Sequence, residues 1–432
     1  MHIVEFAESG ALEYTLGIAF GRTSGVLGGD DVYRGTFAVV DLDAIRENVA
    51  AIRARLAPTT RVLVTVKANG YGHGAVEVAR AAVQGGASYL AVASVEEGIA
   101  LREAGIQTPV LVLGASTYES AMAAAKFQLD VTLTEDCLDW PDVPLSPPIK
   151  GHLKIDTGMT RLGVRTNEEC VRLAQWILAR SDVECQGAFT HLACADAETL
   201  HHAEQQIRRF QEMLGILSNV GLHPKLVHAA NSAAALRRLD WQFDMVRIGI
   251  SAYGYAPSDA FVPSVSLKPA LNLYSFVTRV HTIQTGESVG YGATFTAPRV
   301  TKVATVPVGY ADGYPRRLSN QSFVWVKGQR VPVIGNVCMD QLMIDVTDVD
   351  EVSTGDCVTL YGHRAPSDWT RQNLSHYGIG TDEALEWLRT TFRESAREEP
   401  VLSLDELANR LGTISYELMC ALSPRVPRIY VK

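Results

Sequence analysis

The stretch Arg61–Gly86, RVLVTVKANGYGHGAVEVARAAVQGG, holds one complete structural unit: an apolar β-rich run, a glycine-rich turn and a segment with helical spacing. Its closing glycine pair can end a helix, because glycine accepts the left-handed backbone found there. Seven further runs of this kind follow before position 250. They are SYLAVA from Ser88, PVLVLG from Pro109, LDVTL from Leu129, KGHLKID from Lys150, VECQGAFTH from Val183, KLVHAA from Lys225 and FDMVRIGI from Phe243. Between the last of them lies AETLHHAEQQIRRFQEMLGIL, which has amphipathic spacing. Apolar runs separated by helices indicate a parallel sheet, since parallel strands need crossover connections. Eight units predict a closed (β/α)8 barrel over residues 33–268, with an open doubly wound sheet as the competing architecture.

After position 268 the rhythm changes to alternating strands joined by close turns, as in LYSFVTRVHTIQTGESVG, TKVATVPVG, FVWVKGQRVPVIG, LMIDVTDV and DCVTLYG. This reads as a second, mainly antiparallel β-domain over residues 269–432. A polar stretch near 362–400 is inserted in it and contains one helical piece, TDEALEWLRTTFRES. Residues 1–32 read as a loosely structured extension, and residues 33–41 are placed where they can pair with the second domain.

The composition excludes several classes. At 432 residues, the chain is long enough for two cores. Its charged fraction of 20% includes no basic cluster, and the net charge of -9 disfavours a nucleic-acid backbone as partner. No apolar run is long enough to cross a bilayer. The seven cysteines are scattered and form no CxxC pair, which suits a reducing compartment. Glu5, Glu8, Glu13, Asp30 and Asp31 are wrong for a transit peptide, so a cytoplasmic protein is expected.

Chemistry concentrates in VKANGYGHG, positions 66–74, where an apolar strand ends in Lys67 at the rim on which barrel enzymes place catalytic groups. Partial desolvation there favours the free amine needed for a Schiff base. Without the turn, a lysine snorkelling out of a strand end would be the better reading. Ser232 begins a helix after the seventh strand, and Gly249 and Ile250 follow the eighth, where barrels recurrently hold a phosphate. Taken singly these residues are bland: Ser232 as a cap, Arg247 as an ion-pair member, Tyr291 as packing and His191 as a core histidine. His191, Asp196, His201 and His202 suggest a metal cluster, but adjacent histidines cannot share one helical face, so no metal is expected.

Nine segments taken together carry a resemblance. VKANGYGHG is followed in order by KIDTGMTRLG from Lys154, THLACAD from Thr190, HAANSAA from His228, MVRIGI from Met245, VGYGATF from Val289, VGYADGYPR from Val308, CMDQ from Cys338 and TISYE from Thr413. From Tyr33 to Lys432 the chain resembles the alanine racemase family. The resemblance implies a pyridoxal 5'-phosphate enzyme that interconverts L-alanine and D-alanine with two acid-base groups and supplies D-alanine for peptidoglycan. Lys67 would bind the cofactor and serve one face of the substrate, while Tyr291 of a second protomer would serve the other, making a homodimer with shared sites. A phenol is reluctant to ionise at neutral pH, so positive charge nearby would help.

The resemblance further implies that Ser232, the amides of Gly249 and Ile250, and the hydroxyls of Tyr71 and Tyr416 hold the cofactor phosphate. His191 would stack on the ring. Arg247 would face the pyridine nitrogen, to which it can only donate, leaving an unprotonated and weaker electron sink that favours racemisation over transamination. Arg161 and the Met339 amide would hold the substrate carboxylate, with Asp340 beside it, and Lys154, as a carbamate, would orient Arg161. Tyr310, Arg316, Ile414 and Tyr416 would line a narrow access channel that admits a methyl group. Some activity on serine is compatible with this.

Three features depart from the family pattern: Thr160 where glycine is usual, a longer 362–400 stretch, and the N-terminal extension. Alternatives of the same fold are a broad-specificity or serine racemase and a basic amino-acid decarboxylase. Decarboxylases place a carboxylate at the pyridine nitrogen, where this chain offers Arg247. A single-barrel pyridoxal phosphate carrier would lack the second domain and Tyr291.

Overall fold

A computed structural model describes residues 34–376, 381–396 and 398–432. The extension at 1–32 and part of the 362–400 stretch therefore lie outside the described residues. Strand β1 (Phe37–Asp41) is followed by the eight runs, which all become strands: β2 (Arg61–Thr65), β3 (Tyr89–Val92), β4 (Val110–Ala115), β5 (Asp130–Leu133), β6 (Ile149–Lys154), β7 (Val183–Phe189), β8 (Leu226–His228) and β9 (Met245–Ile248). They form one parallel sheet in the order β8-β7-β6-β5-β4-β3-β2-β9. At the seam between its edges, Asp244 N donates to Val227 O at 3.0 Å and Arg247 N to Ala230 O at 2.9 Å, so the barrel is nearly closed.

Alternation along each strand sends every second side chain inward. Leu63, Tyr89, Ala91, Leu111, Leu226 and Met245 pack there as a separate apolar cluster. Two residues further along their strands, His228 and Arg247 keep that same inward direction. The outward residues Val62, Val64, Val131 and Val246 join the large core shared with the surrounding helices.

The second sheet has nine strands, with β10 (Leu271–Phe276) pairing with β1 antiparallel in the register Ala38↔Leu273. Strand Arg428–Val431 pairs with β1 in parallel, and the remaining ladders in this sheet are antiparallel. The inserted stretch supplies two helices, not the single one expected, Arg371–His376 and Asp382–Ser395. The shorter has six residues and buries only Leu374, too little for a helical period to be visible in the sequence. The longer is capped by Thr381, and its Leu385, Leu388 and Phe392 close a core with Phe37, Tyr274, Phe276 and Trp369. Among the described residues, no helix is long and apolar enough to cross a membrane.

Candidate active site

Lys67 opens the turn at the carboxyl end of β2, half-buried, in backbone that is costly to form. Ala68, Asn69, Gly70 and Tyr71 are all left-handed, with φ of 52°, 52°, 61° and 50°. Each non-glycine residue in that region costs about 1–2 kcal/mol, so the turn persists only because its surroundings over-determine it. Glu97 bridges it to the next barrel loop, accepting from Ala68 N at 2.7 Å and Ala93 N at 2.7 Å. Asn69 Oδ1 accepts from Ala75 N at 3.0 Å. Gly72, at φ +81°, lies so close to the helix Ser415–Cys420 that a Cβ would meet Met419 O at 2.0 Å. That approach brings Tyr416 to Tyr71, with ring centroids 5.9 Å apart.

The loops after β8 and β9 meet beside the two tyrosines. Asn231, rather than Ser232, caps the helix Ser232–Arg237 by accepting from Ala234 N at 3.1 Å. The bland reading of Ser232 as a cap is thereby corrected. Its Oγ instead accepts from Gly249 N at 3.0 Å and joins the two loops. A Cβ at Gly249 would lie 2.9 Å from the Tyr71 hydroxyl, so glycine is what lets that phenol approach the backbone. Ile250 is buried next to it. Burial raises the pKa of both Tyr71 and Tyr416, which keeps the two phenols protonated as donors.

Arg247 is 5% exposed, and burial pushes its pKa down to about 9, still high enough to hold the charge at neutral pH. Its Nη1 donates to His228 Nδ1 at 3.0 Å and His228 O at 3.2 Å. Its Nη2 donates to Thr190 O at 2.6 Å, His191 Nδ1 at 3.1 Å and Ala229 O at 3.1 Å. All these acceptors are neutral, and among the described residues Arg247 forms no ion pair and its Nε makes no hydrogen bond. The ion-pair reading of this arginine is set aside on that geometry. Burial first, then the charges of Arg247, Arg161, Lys154 and Lys67, holds the pKa of half-buried His191 well below that of free histidine. Arg247 donates directly to that neutral ring, and the other three basic groups are near enough for it to feel their charge.

Lys154 is buried at the end of β6, and its Nζ donates to Ile155 O at 3.0 Å. Burial, reinforced by Arg247 and Arg161, pushes its pKa down to about 7. Arg161 itself is exposed. Thr160, the departure from glycine, has φ +55° and is held by an N–H bond to Asp156 Oδ1 at 2.9 Å. The position demands the backbone that glycine accepts most readily.

The other predicted residues are exposed. Tyr291 is 74% exposed, Met339 53%, Tyr310 42% and Ile414 56%. Gly290 and Gly292, at φ 73° and 74°, flank Tyr291 and project it. Asn336 Nδ2 donates to Tyr291 O at 2.7 Å, while Tyr310 N donates to Cys338 O at 3.1 Å, so the segment 336–339 ties the backbones at Tyr291 and Tyr310 together. Asp340 pairs with Arg425 at 2.7 Å, and Ser319 N donates to Arg316 O at 3.1 Å in the adjoining turn.

Sequence reasoning passed over Glu97 and the ring of His228. For His228 a signal existed: a polar residue inside a strand whose faces are both buried must have a partner.

The family model for the alanine racemase N-terminal domain matches residues 40–257, and that for the C-terminal domain matches residues 270–383. The chain is 41% identical over 410 residues to the alanine racemase of Geobacillus kaustophilus (strain HTA426), covering 93% of this chain and 96% of that relative. To alanine racemase 1 of Bacillus subtilis (strain 168) it is 39% identical over 406 residues, covering 93% and 94%. The solved alanine racemase from Bacillus anthracis with bound L-Ala-P matches with a TM-score of 0.81 at 35% identity, over 93% of this chain and 96% of that one. The alanine racemase from E. faecalis matches with a TM-score of 0.79 at 36% identity, over 94% and 100%. With one family model on the barrel, another on the second sheet, and relatives that align along nearly its whole length, this chain belongs to the alanine racemase family.

Proposed function

We propose that the protein interconverts L-alanine and D-alanine with pyridoxal 5'-phosphate, using Lys67 and a second copy's Tyr291 as the two acid-base groups. The observation that carries this is that Lys67, in a left-handed turn at the end of β2, shares the barrel rim with a buried Arg247 that has only neutral hydrogen-bond acceptors and no ion pair among the described residues, a setting suited to an anionic ligand beside an amine. When bound, the cofactor supplies a conjugated ring that withdraws electrons from the amino acid and acidifies its Cα proton.

The residues present fit that group. Ser232 Oγ–H, the Ile250 amide and the phenols of Tyr71 and Tyr416 offer donors to a phosphate beside Gly249, whose own amide, now donating to Ser232 Oγ, would be shared with it. Arg247 has Nε–H left for the pyridine nitrogen, and a guanidinium does not surrender its proton, so that nitrogen stays unprotonated. His191, neutral and fixed by Arg247, offers a ring face. Lys67 removes or returns the Cα proton on one side and Tyr291 on the other. Arg161 and the Met339 amide hold the substrate carboxylate, with Asp340 in support.

At a pKa near 7, much of Lys154 is free amine at neutral pH, the form that adds carbon dioxide. The resulting carbamate would set a negative charge among the neighbouring cations and orient Arg161. Tyr310, Arg316, Ile414 and Tyr416 restrict access, although each extra methylene costs a larger substrate only about 1–3 kcal/mol, which leaves room for serine. Exposed Tyr291, Tyr310, Met339 and Ile414 form the kind of surface a second protomer covers, giving a homodimer with shared sites. The seven free cysteines suit the cytoplasm, where D-alanine for peptidoglycan is made.

Chiral chromatography of L-alanine incubated with the protein and cofactor tests the reading. Approach to an equal mixture of enantiomers is expected. Persistent L-alanine, or carbon dioxide release from lysine or ornithine, would overturn it.

A further inference from the structure

Arg247 is one end of a buried polar chain that crosses the barrel interior. Because a guanidinium only donates, His228 Nδ1 must accept from it at 3.0 Å, so the His228 proton sits on Nε2. That Nε2 lies 2.9 Å from His152 Nδ1, which must in turn accept, placing the His152 proton on its own Nε2. His152 Nε2 is buried and makes no hydrogen bond, and the Asp130 carboxylate faces it, Oδ2 lying 3.5 Å away. Tyr89 donates its hydroxyl to the same carboxylate oxygen. Arg247, His228, His152, Asp130 and Tyr89 are all at most 5% exposed, and Tyr89 and Asp130 border a cavity lined by Arg61, Arg102 and Gln186. Phe189 stacks on His228 with ring planes 2° apart and fixes the imidazole plane.

The polarity is set from the Arg247 end, and a carboxylate beside the last imidazole N–H agrees with it. A donor-only group stands at the rim, an acceptor at the opposite mouth, and two imidazoles between them have one self-consistent tautomer each. The chain also links the unpaired Arg247 to a carboxylate through strands β9, β8, β6 and β5 without bringing that carboxylate to the rim. A carboxylate at the rim would compete for the guanidinium and bend it away from a ring nitrogen.

We infer that His152 and Asp130 are positioning residues of the racemase site: through His228 they lock the direction of hydrogen bonding and hold Arg247 in place. This rests on the reading of Arg247 given under Proposed function. Asp130→Asn replaces the terminal acceptor with a group that can donate to His152. His152→Asn leaves the carboxylate untouched and disconnects it, and it decides the matter if the first variant fails to fold.

The test compares holoenzymes labelled with 15N in the imidazoles, whose proton-nitrogen correlations report the tautomer. The parent should show His152 and His228 each as a single tautomer protonated at Nε2. Asp130→Asn should abolish that signature at His152, and both variants should lose roughly tenfold in kcat with KM for alanine within about threefold, as when a supporting hydrogen-bond partner is removed. The inference is overturned if the parent histidines carry the other tautomer, or if both variants keep the parent kcat within twofold. A parent enzyme that racemises nothing would sink the functional reading instead, and the tautomers would remain measurable.

Discussion

The barrel rim and the exposed face of the second sheet are built to opposite rules. At the rim, Arg247 is hydrogen-bonded to His191 and His228, Lys154 is buried, and the protonation of these groups is set by burial and by each other's charge. On the second sheet, Tyr291, Tyr310 and Met339 stand in the open, held by backbone contacts through the 336–339 segment. One half of the machinery is finished within a single chain. The other half is only presented, and under the proposed function a second protomer would give it a low-dielectric setting. Reactive groups whose ionisation matters are tuned where water is excluded, so on the proposed reading the exposed half would acquire its chemistry on assembly.

The largest effect that would break this contrast is at the rim. Lys67→Ala is expected to lose racemisation by roughly four orders of magnitude along with the visible absorption band of bound cofactor, and a variant that keeps the band refutes the role of Lys67. Tyr291→Phe should cost on the order of a thousandfold in rate while the band persists. Equal exchange of the Cα proton from both enantiomers at the parent rate would dismiss Tyr291 as a base.

Mixing the two inactive variants sharpens the comparison further. Random reassortment into dimers leaves one intact site in every hybrid, so about a quarter of the parent activity should return. No recovery after verified subunit exchange would mean that the two groups act within one chain.

Acid should act on the finished half. Burial pushes His73 down to about 4, and His191 and His228 also lie well below 6.5. The unfolded chain therefore binds protons that the fold refuses. Stability is full above pH 6.5 and falls as pH drops toward 4, with His73 alone contributing about 3 kcal/mol to the loss. Urea midpoints measured from pH 7 to 4 should drop less steeply for His73→Gln than for the parent, and identical slopes would contradict the assignment. The smallest effect is at the departure from the family pattern. Thr160→Gly should stabilise by roughly 0.5–1 kcal/mol, read as a higher Tm, because glycine adopts φ +55° without strain.

Periodicity alone carried the fold. Eight apolar runs separated by helical segments admit few solutions, and β2 through β9 follow them closely because a strand buried on both faces has nowhere else to hide its side chains. Ordered motifs pointed to Lys67, Arg247, Ser232 and Tyr291 as the candidate site, because chemistry restricts the residue types at such positions. What only the tertiary structure decided were relations between residues far apart in the chain. Glu97 clamps a turn 29 residues away, and His152 meets His228 across 76 residues. Asn231 takes the cap and frees Ser232. Those contacts depend on the stagger of neighbouring strands and on which side chains the barrel turns inward, and a one-residue shift in register would dissolve them while leaving the hydrophobic pattern intact.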